Sequence, residues 1–318
     1  MNVERICPNC KKSEFSVLSK TFDCSIIKCN KCMLTMKEMI NSITKEQVQK
    51  LKDNVYTSVS RRLQIRNQNL KVAKDRLNLL IKSGVKKGKL LEIGCATGEF
   101  IEQAQNRGFD VTGVDTSPIF IDYVQNKGIP AKCGLLEEVM EIKTKFDVIA
   151  MFHLIEHVEN PEKFLSTVSN YLNKNGVLYI ICPNVDSTVN KLFGYRHPDF
   201  QEQDHLFFYC KNTLGNFLRR SNFSELSVFS KEYTHNIFTS VYGYLSLISK
   251  PARIGENNSP NQQQEVQSGN LQKAGLANLF MYNLPFIMGK IFYPLLRPYG
   301  YFLEKRIKGQ ELIIFAKK

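Results

Sequence analysis

No run of 18 consecutive apolar residues occurs in the 318-residue chain, and its start lacks the basic-then-apolar order of a secretory signal. Neither a spanning helix nor secretion is expected. The expectation is a cytoplasmic protein, free or peripheral on the inner face of the membrane. Aromatic residues are scarce in the helical-looking stretch from Thr44 to Lys82, where Tyr56 stands alone. Without rings for bases to stack on, that stretch is a poor platform for single-stranded nucleic acid.

Acidic residues are short at both ends. Residues 1–89 carry 20 Lys and Arg against 7 Asp and Glu, and residues 231–318 carry 11 against 5, whereas residues 90–230 carry 12 against 18. The net charge of +13 thus sits on the flanks of an acidic middle. A polyanion or an anionic membrane would meet the ends first. A solvated lysine-rich surface explains the same balance equally well.

Cysteine is present but unevenly placed. Five of the nine fall in the first 32 residues, and Cys7 with Cys10 and Cys29 with Cys32 form two C-x-x-C pairs separated by 18 residues. Two such turns can each aim two thiolates at one tetrahedral zinc ion, and a segment of roughly 35 residues has too little core to fold without a staple. Two disulfides are the alternative, and they need an oxidising compartment that nothing else in the sequence suggests. Four thiolates leave no open coordination position, so the expected zinc is structural. Cys24 lies outside both pairs and reads as a spare thiol, while the alternation from Phe15 to Cys24 suits a short hairpin.

The chain is organised around LLEIGCATGEF, Leu90 to Phe100. Apolar residues lead into Gly94 and a small-residue turn that opens a helix, the pattern of a strand-turn-helix. Small residues let a ligand approach the backbone, and the free N–H groups of the first helical turn favour electron-rich groups. The loop has Gly94 and Gly98 but Ala96 where a three-glycine loop would have glycine. About 20 residues on, FDVTGVD ends a second apolar strand in Asp115, where a carboxylate can accept both hydroxyls of a ribose. Further strands fall near 129–133, 146–151, 177–182, 224–229 and Glu311 to Lys318. Apolar runs alternating with helices imply a parallel sheet covered on both faces, with a binding crevice at the strands' C-terminal ends.

These motifs, with FDVIAMFHLIEHV from Phe146 and NGVLYIICPN from Asn175, resemble the consecutive signatures of class I S-adenosylmethionine-dependent methyltransferases of the type found in ubiquinone and surface-sugar pathways. The resemblance implies an α/β fold, a doubly wound, mostly parallel seven-stranded sheet. Around it the expected organisation is a zinc ribbon (1–40), a helical linker or lid (41–87), the methyltransferase core (88–230), a helical insertion (231–308) and a closing strand (309–318). Carried over residue by residue, Glu92, Gly94, Cys95, Ala96, Thr97 and Gly98 would hold the methionine part of S-adenosylmethionine. Asp115 would take the ribose, and Gly134, Met151 and Phe152 would contact the rest. Where the family often places an acid after the third strand's glycine, this chain has Leu135 and Leu136, so adenine would rest on backbone groups and apolar packing.

Methyl transfer is an in-line displacement, so positioning supplies much of the rate and a base matters only where the nucleophile must lose a proton. Candidate bases are His153 at the end of the fourth strand, His157 beside Glu156, and His205 in QEQDHLFFY. The competing roles are helix capping for His157 and a partly buried loop histidine for His205. The insertion has a polar middle, GENNSPNQQQEVQSGN, read as disordered, flanked by apolar aromatic stretches. Those stretches, within 236–302, suit either peripheral membrane contact or a substrate lid or dimer contact. The expected activity is methyl transfer to an oxygen of a small-molecule, lipid-linked or glycan acceptor. An RNA or protein substrate, or an adaptor that binds the cofactor without catalysis, are the rivals.

Overall fold

The computed structural model describes residues 5–20, 24–39, 59–141, 143–202, 204–232 and 297–318. Contacts divide it into two compact units, one of residues 1–185, 204–229 and 311–318, the other of residues 186–203 and 230–310. The first unit holds two sheets.

The larger sheet has seven strands. They are β4 (Lys89–Ile93), β5 (Asp110–Asp115), β6 (Ala131–Cys133), β7 (Phe146–Phe152), β8 (Leu172–Pro183), β10 (Glu225–Lys231) and β11 (Glu311–Lys317). Their order across the sheet is β10-β11-β8-β7-β4-β5-β6. Strands β4 to β8 pair in parallel, and β11 runs antiparallel to β8 with Glu311 opposite Pro183. Near-continuous apolar strands such as KLLEI and FDVIAMF form this sheet because residues on both of its faces are buried, Lys89, Asp147 and Phe152 excepted. Order reverses at β4, which has β5 on one side and β7 on the other, and this is the switch point at which a doubly wound sheet places its binding crevice. Strand β8 begins earlier than the sequence suggests, because Leu172 already pairs with Phe146 before the ladder resumes at Val177.

The helical stretch preceding β4 divides at Ile65 into α1 (Val59–Gln64) and α2 (Arg66–Lys82). Ala73, Leu77 and Leu80 bury the inner stripe of α2, while Leu63 of α1 is exposed. The break at Ile65 takes Leu63 out of register with that stripe. Arg66 ties α2 to the helix that follows the β4 loop, α3 (Glu99–Gln105), by pairing with Glu99 and Glu102. Residues 41–58, also part of the expected linker, lie outside the described residues.

The smaller sheet begins with β1 (Phe15–Lys20), β2 (Cys24–Cys29) and β3 (Thr35–Met39), an antiparallel meander. Its fourth strand comes from far along the chain: β9 (Phe207–Phe208) pairs with β3, Thr35 opposite Phe208 and Met36 opposite Phe207.

In the second unit α4 (Thr188–Phe193) starts at Ser187, whose hydroxyl accepts from the Asn190 N–H at 3.1 Å, an N-cap bond. A helix spans 297–305, where Arg306 and Lys305 lie over the rings of Phe302 and Tyr301 at 4.3 and 4.7 Å. The polar segment and most of the aromatic stretches expected within 236–302 fall in residues 233–296, outside the described residues.

Candidate active site

The β4 turn forms through backbone hydrogen bonds. Gly94 and Cys95 both donate to the Val114 carbonyl, at 2.7 and 3.1 Å, which folds the loop back over β5. Gly94, Ala96 and Gly98 take left-handed φ values of 76°, 45° and 77°. Glycine adopts these freely, whereas Ala96 stores strain of order 1–3 kcal/mol. The side chains of Cys95 and Thr97 turn away into the interior. Cys95 packs in the core, and the Thr97 hydroxyl donates to the Glu99 carboxylate at 2.7 Å. What Cys95 and Thr97 leave for a ligand is therefore backbone.

Asp115 ends β5 with its carboxylate pinned on both sides. The Ala96 N–H donates to Oδ2 and the Ser117 N–H to Oδ1, each at 2.9 Å. The acid is thus fixed beside the turn with lone pairs to spare. Gly134, at the end of β6, has φ 142°, and a Cβ there would meet Val139 at 2.6 Å. Met151 is fully buried, and Phe152 stands edge-on to Phe100 and Tyr179 with centroids at 4.8 and 5.1 Å.

Glu92 is 5% exposed, its Oε2 has no hydrogen-bond partner among the described residues, and burial pushes its carboxyl well above the usual range. A buried carboxyl with one oxygen left over beside the turn suits an incoming cation. The opposite charge comes from a residue the sequence did not flag. The Arg76 guanidinium of α2 lies 4.5 Å over the Phe152 ring and 3.7 Å from the Glu311 carboxylate, and its Nε has no hydrogen-bond partner among the described residues. Arg76 sits in a stretch crowded with Lys and Arg, so spacing alone could not single it out.

The three histidines are placed differently from one another. His153 takes a left-handed φ of 52° just past β7, and its Nε2 lies 3.1 Å from Glu311 and its Nδ1 3.6 Å from Glu156. Burial would lower its pKa, but the two carboxylates outweigh it and raise it from 6.5 to about 9. The two carboxylates thus favour the charged form of His153 at neutral pH. This favours the other two as base. His157 closes a short 3₁₀ turn, Ile155–His157, and its Nδ1 lies 3.0 Å from the Asp204 carbonyl and 3.2 Å from the Asp204 carboxylate. A carbonyl only accepts, so Nδ1 carries the proton and Nε2 of the neutral ring is the basic atom. Burial works to lower the His157 pKa and the Asp204 hydrogen bond and charge raise it above 6.5. The His205 ring lies edge-on to that of His157 with centroids 4.8 Å apart.

Glu156 is 1% exposed and neither carboxylate oxygen has a hydrogen-bond partner among the described residues. Ligand atoms of Glu156, His157 and His205 lie within 4.8 Å of one another, a two-imidazole, one-carboxylate set chemically suited to a divalent ion.

The four paired cysteines also converge. Their sulfurs lie within 4.8 Å of one another, with Cys7 and Cys32 at 3.5 Å and Cys10 and Cys29 at 3.5 Å. Around a zinc ion with sulfur at 2.3 Å, ideal tetrahedral geometry separates sulfurs by about 3.8 Å. None of the four is in a disulfide. The two turns repeat each other: Cys7 N–H to Lys12 carbonyl and Lys11 N–H to Cys7 carbonyl, then Cys29 to Leu34 and Met33 to Cys29, all at 2.8–2.9 Å. Lys11 and Met33 close them with φ of 60° and 65°. Burial opposes ionisation of Cys29, but the backbone N–H groups of Cys32 and Lys31 lower its thiol to about 7, while burial pushes Cys7 and Cys32 up. A cation at their centre would stabilise all four as thiolates.

The sheet order, the pinned acid and the glycine turn define a class I S-adenosylmethionine-dependent methyltransferase. The family model for the methyltransferase domain matches residues 64–228, more than half of the chain, and the chain belongs to that family. Over 100 residues it is 34% identical to the mitochondrial ubiquinone biosynthesis O-methyltransferase of Schizosaccharomyces pombe, covering 29% of this chain and 36% of that protein. Over 114 residues it is 31% identical to the ubiquinone biosynthesis O-methyltransferase of Coxiella burnetii, covering 34% and 46%. The chain thus spans less than half the length of these curated relatives. An S-adenosylmethionine-dependent methyltransferase from Thermotoga maritima shares the fold at TM-score 0.51 and 15% identity over 85% of this chain and 98% of that one. A Haemonchus contortus phosphoethanolamine N-methyltransferase, solved with S-adenosylhomocysteine, does so at 0.52 and 16% over 89% and 62%.

Proposed function

We propose that the chain moves a methyl group from S-adenosylmethionine to an oxygen of a small-molecule, lipid-linked or glycan acceptor, with a structural zinc on Cys7, Cys10, Cys29 and Cys32. When bound, S-adenosylmethionine supplies an electrophilic methyl. Asp115 holds the ribose hydroxyls, and its two backbone bonds fix it for that task before the ligand arrives. The turn from Glu92 to Gly98 receives the amino-acid part, Glu92 meeting the ammonium and Arg76 the carboxylate. Gly134 leaves space at the end of β6, and Met151 and Phe152 support the crevice from β7.

An alcohol is a weak nucleophile until its proton is drawn off. His157 is the base in this scheme: Asp204 holds the Nδ1 proton, which leaves Nε2 to accept, and the same carboxylate raises the ring's basicity. His205 packs on that ring and bounds the acceptor side with it. His153, held as a cation by Glu156 and Glu311, organises those carboxylates rather than acting as base. The oxygen acceptor follows the ubiquinone O-methyltransferases that the chain resembles, and the observation that carries it is the Asp204–His157 pair.

The test separates binding from chemistry. His157→Ala and His153→Gln are assayed against catechol, phenol and sugar acceptors with labelled cofactor, alongside calorimetry with S-adenosylhomocysteine. The expected result is a turnover loss of about 100-fold or more for His157→Ala with unchanged cofactor affinity, and a smaller loss for His153→Gln. Full turnover by His157→Ala would overturn the assignment of the base.

A further inference from the structure

The zinc ribbon and the histidine pair are connected by backbone. The second cysteine turn, Cys29–Cys32, runs through the buried Leu34 directly into β3. From β3 the Lys37 N–H donates to the Leu206 carbonyl at 2.8 Å, and the ladder continues through Met36 opposite Phe207 and Thr35 opposite Phe208. On its other side the Leu206 N–H donates to the Glu156 carbonyl at 2.9 Å. Leu206 thus stands between the ribbon and the 3₁₀ turn of His157, while its neighbours are His205 and, one residue further, Asp204, which holds the His157 ring.

A second set of contacts docks the first cysteine turn. Arg220 donates to the Asn9 side chain at 3.2 Å and pairs with Glu162 at 3.3 Å, and Lys11 pairs with the same Glu162 at 3.2 Å. Both cysteine turns are therefore tied to the core, one by side chains and one by a shared strand. A ribbon that only filled space would not need the strand link to the 204–206 segment.

We infer that the ribbon is a positioning element for the acceptor side: β3, held in shape by the four cysteines, acts through Leu206 to set where His157 and His205 stand. The proposal rests on the placement of the acceptor beside these histidines, and the cofactor turn lies outside the linked path. Loss of zinc then disturbs the acceptor side and spares cofactor binding.

Lys37→Pro deletes the N–H given to Leu206, and Lys37→Ala keeps it, so the difference between the two variants isolates the strap. Hydrogen exchange of residues 204–209 and the imidazole NMR signals at one fixed pH are read on the full zinc-loaded chain. The expected result for Lys37→Pro is exchange at Leu206 faster by tenfold or more and a joint shift of the His157 and His205 signals. His153 stays put, S-adenosylhomocysteine affinity stays within twofold, and Lys37→Ala matches the unaltered protein. Should Lys37→Pro not fold, zinc stripped from the unaltered chain with a chelator gives the same readout. If β3 amides exchange freely while 204–209 and the two signals remain as before, the proposal is overturned. These readouts involve no acceptor, so a failure of the oxygen-acceptor assignment would show only in the turnover of His157→Ala.

Discussion

The two walls of the crevice are built by different means. The wall we propose for the cofactor is local: Glu92, the Gly94–Gly98 turn and Asp115 come from one strand-turn-helix-strand stretch of 24 residues, and its key bonds run from backbone N–H to a carboxylate. The wall we propose for the acceptor is assembled from distant pieces, with His157, Asp204 and the ribbon's Lys37 meeting around Leu206. A wall made of near neighbours resists insertion and drift elsewhere in the chain. A wall made of distant ones can be changed by any of its contributors, which suits a family that keeps one cofactor and varies its acceptor.

That contrast can be broken at several points. The largest effect is expected from Cys29→Ser or Cys7→Ser, because structural zinc coordination and folding are coupled. Metal analysis should fall from about one zinc per chain to none and the ribbon's amides should lose protection, while Cys24→Ser keeps the metal. Zinc absent from reductively purified protein would contradict this.

Next, Asp115→Ala should weaken S-adenosylhomocysteine binding by roughly 2 to 4 kcal/mol, since it removes charge-assisted hydrogen bonds and unpins the turn. Arg76→Gln should cost about 1.5 to 3 kcal/mol through the loss of one charged hydrogen-bonding partner. Calorimetry on both variants decides whether the cofactor wall extends to α2; an unchanged affinity for Arg76→Gln would confine it to the strand ends.

His153 gives a pH test. Its pKa is raised above the unfolded value by Glu156 and Glu311, to about 9. The stabilisation from its charged form is complete below about pH 6.5 and is lost as pH rises through about 9. Urea unfolding across that window should show a decline that His153→Gln flattens. The smallest effect is expected from Ala96→Gly, which relieves a left-handed φ of 45°. The gain should be about 0.5 to 1 kcal/mol after allowing for the freer unfolded glycine, read as a small rise in Tm.

The strand, turn and acid that carry the proposed cofactor wall were legible because their signals are short-range. The apolar run into Gly94, the acid at Asp115 and the alternation of strands and helices each sit within a window that period and turn chemistry can read. The cysteine spacing was legible for the same reason, and the four sulfurs do converge. The pairing of β9 with β3 was not, because Phe207 and Phe208 make too short a strand to show a period and their partner lies about 170 residues away. Arg76 was hidden by its basic neighbours, and the charge state of His153 by Glu311, which enters from 158 residues on. Pattern reading finds candidate groups, but it cannot say which distant charge will stand beside them.

The placement of β11 bears on how the chain comes off the ribosome. This strand fits between β8 and β10, yet residues 232–310 must be made after β10 and before it. Until residues 311–317 emerge, the edge of β8 has an unfilled ladder, and β10 lacks the neighbour it has in the finished sheet. An apolar edge left open for the seconds that synthesis of such a segment takes is a place for chaperone capture or misassociation. Glu311 arrives with the same strand, so Arg76 and His153 acquire their shared counter-charge only when the sheet is sealed. A nascent chain halted before that point would present a cofactor turn whose neighbouring charges are not yet balanced.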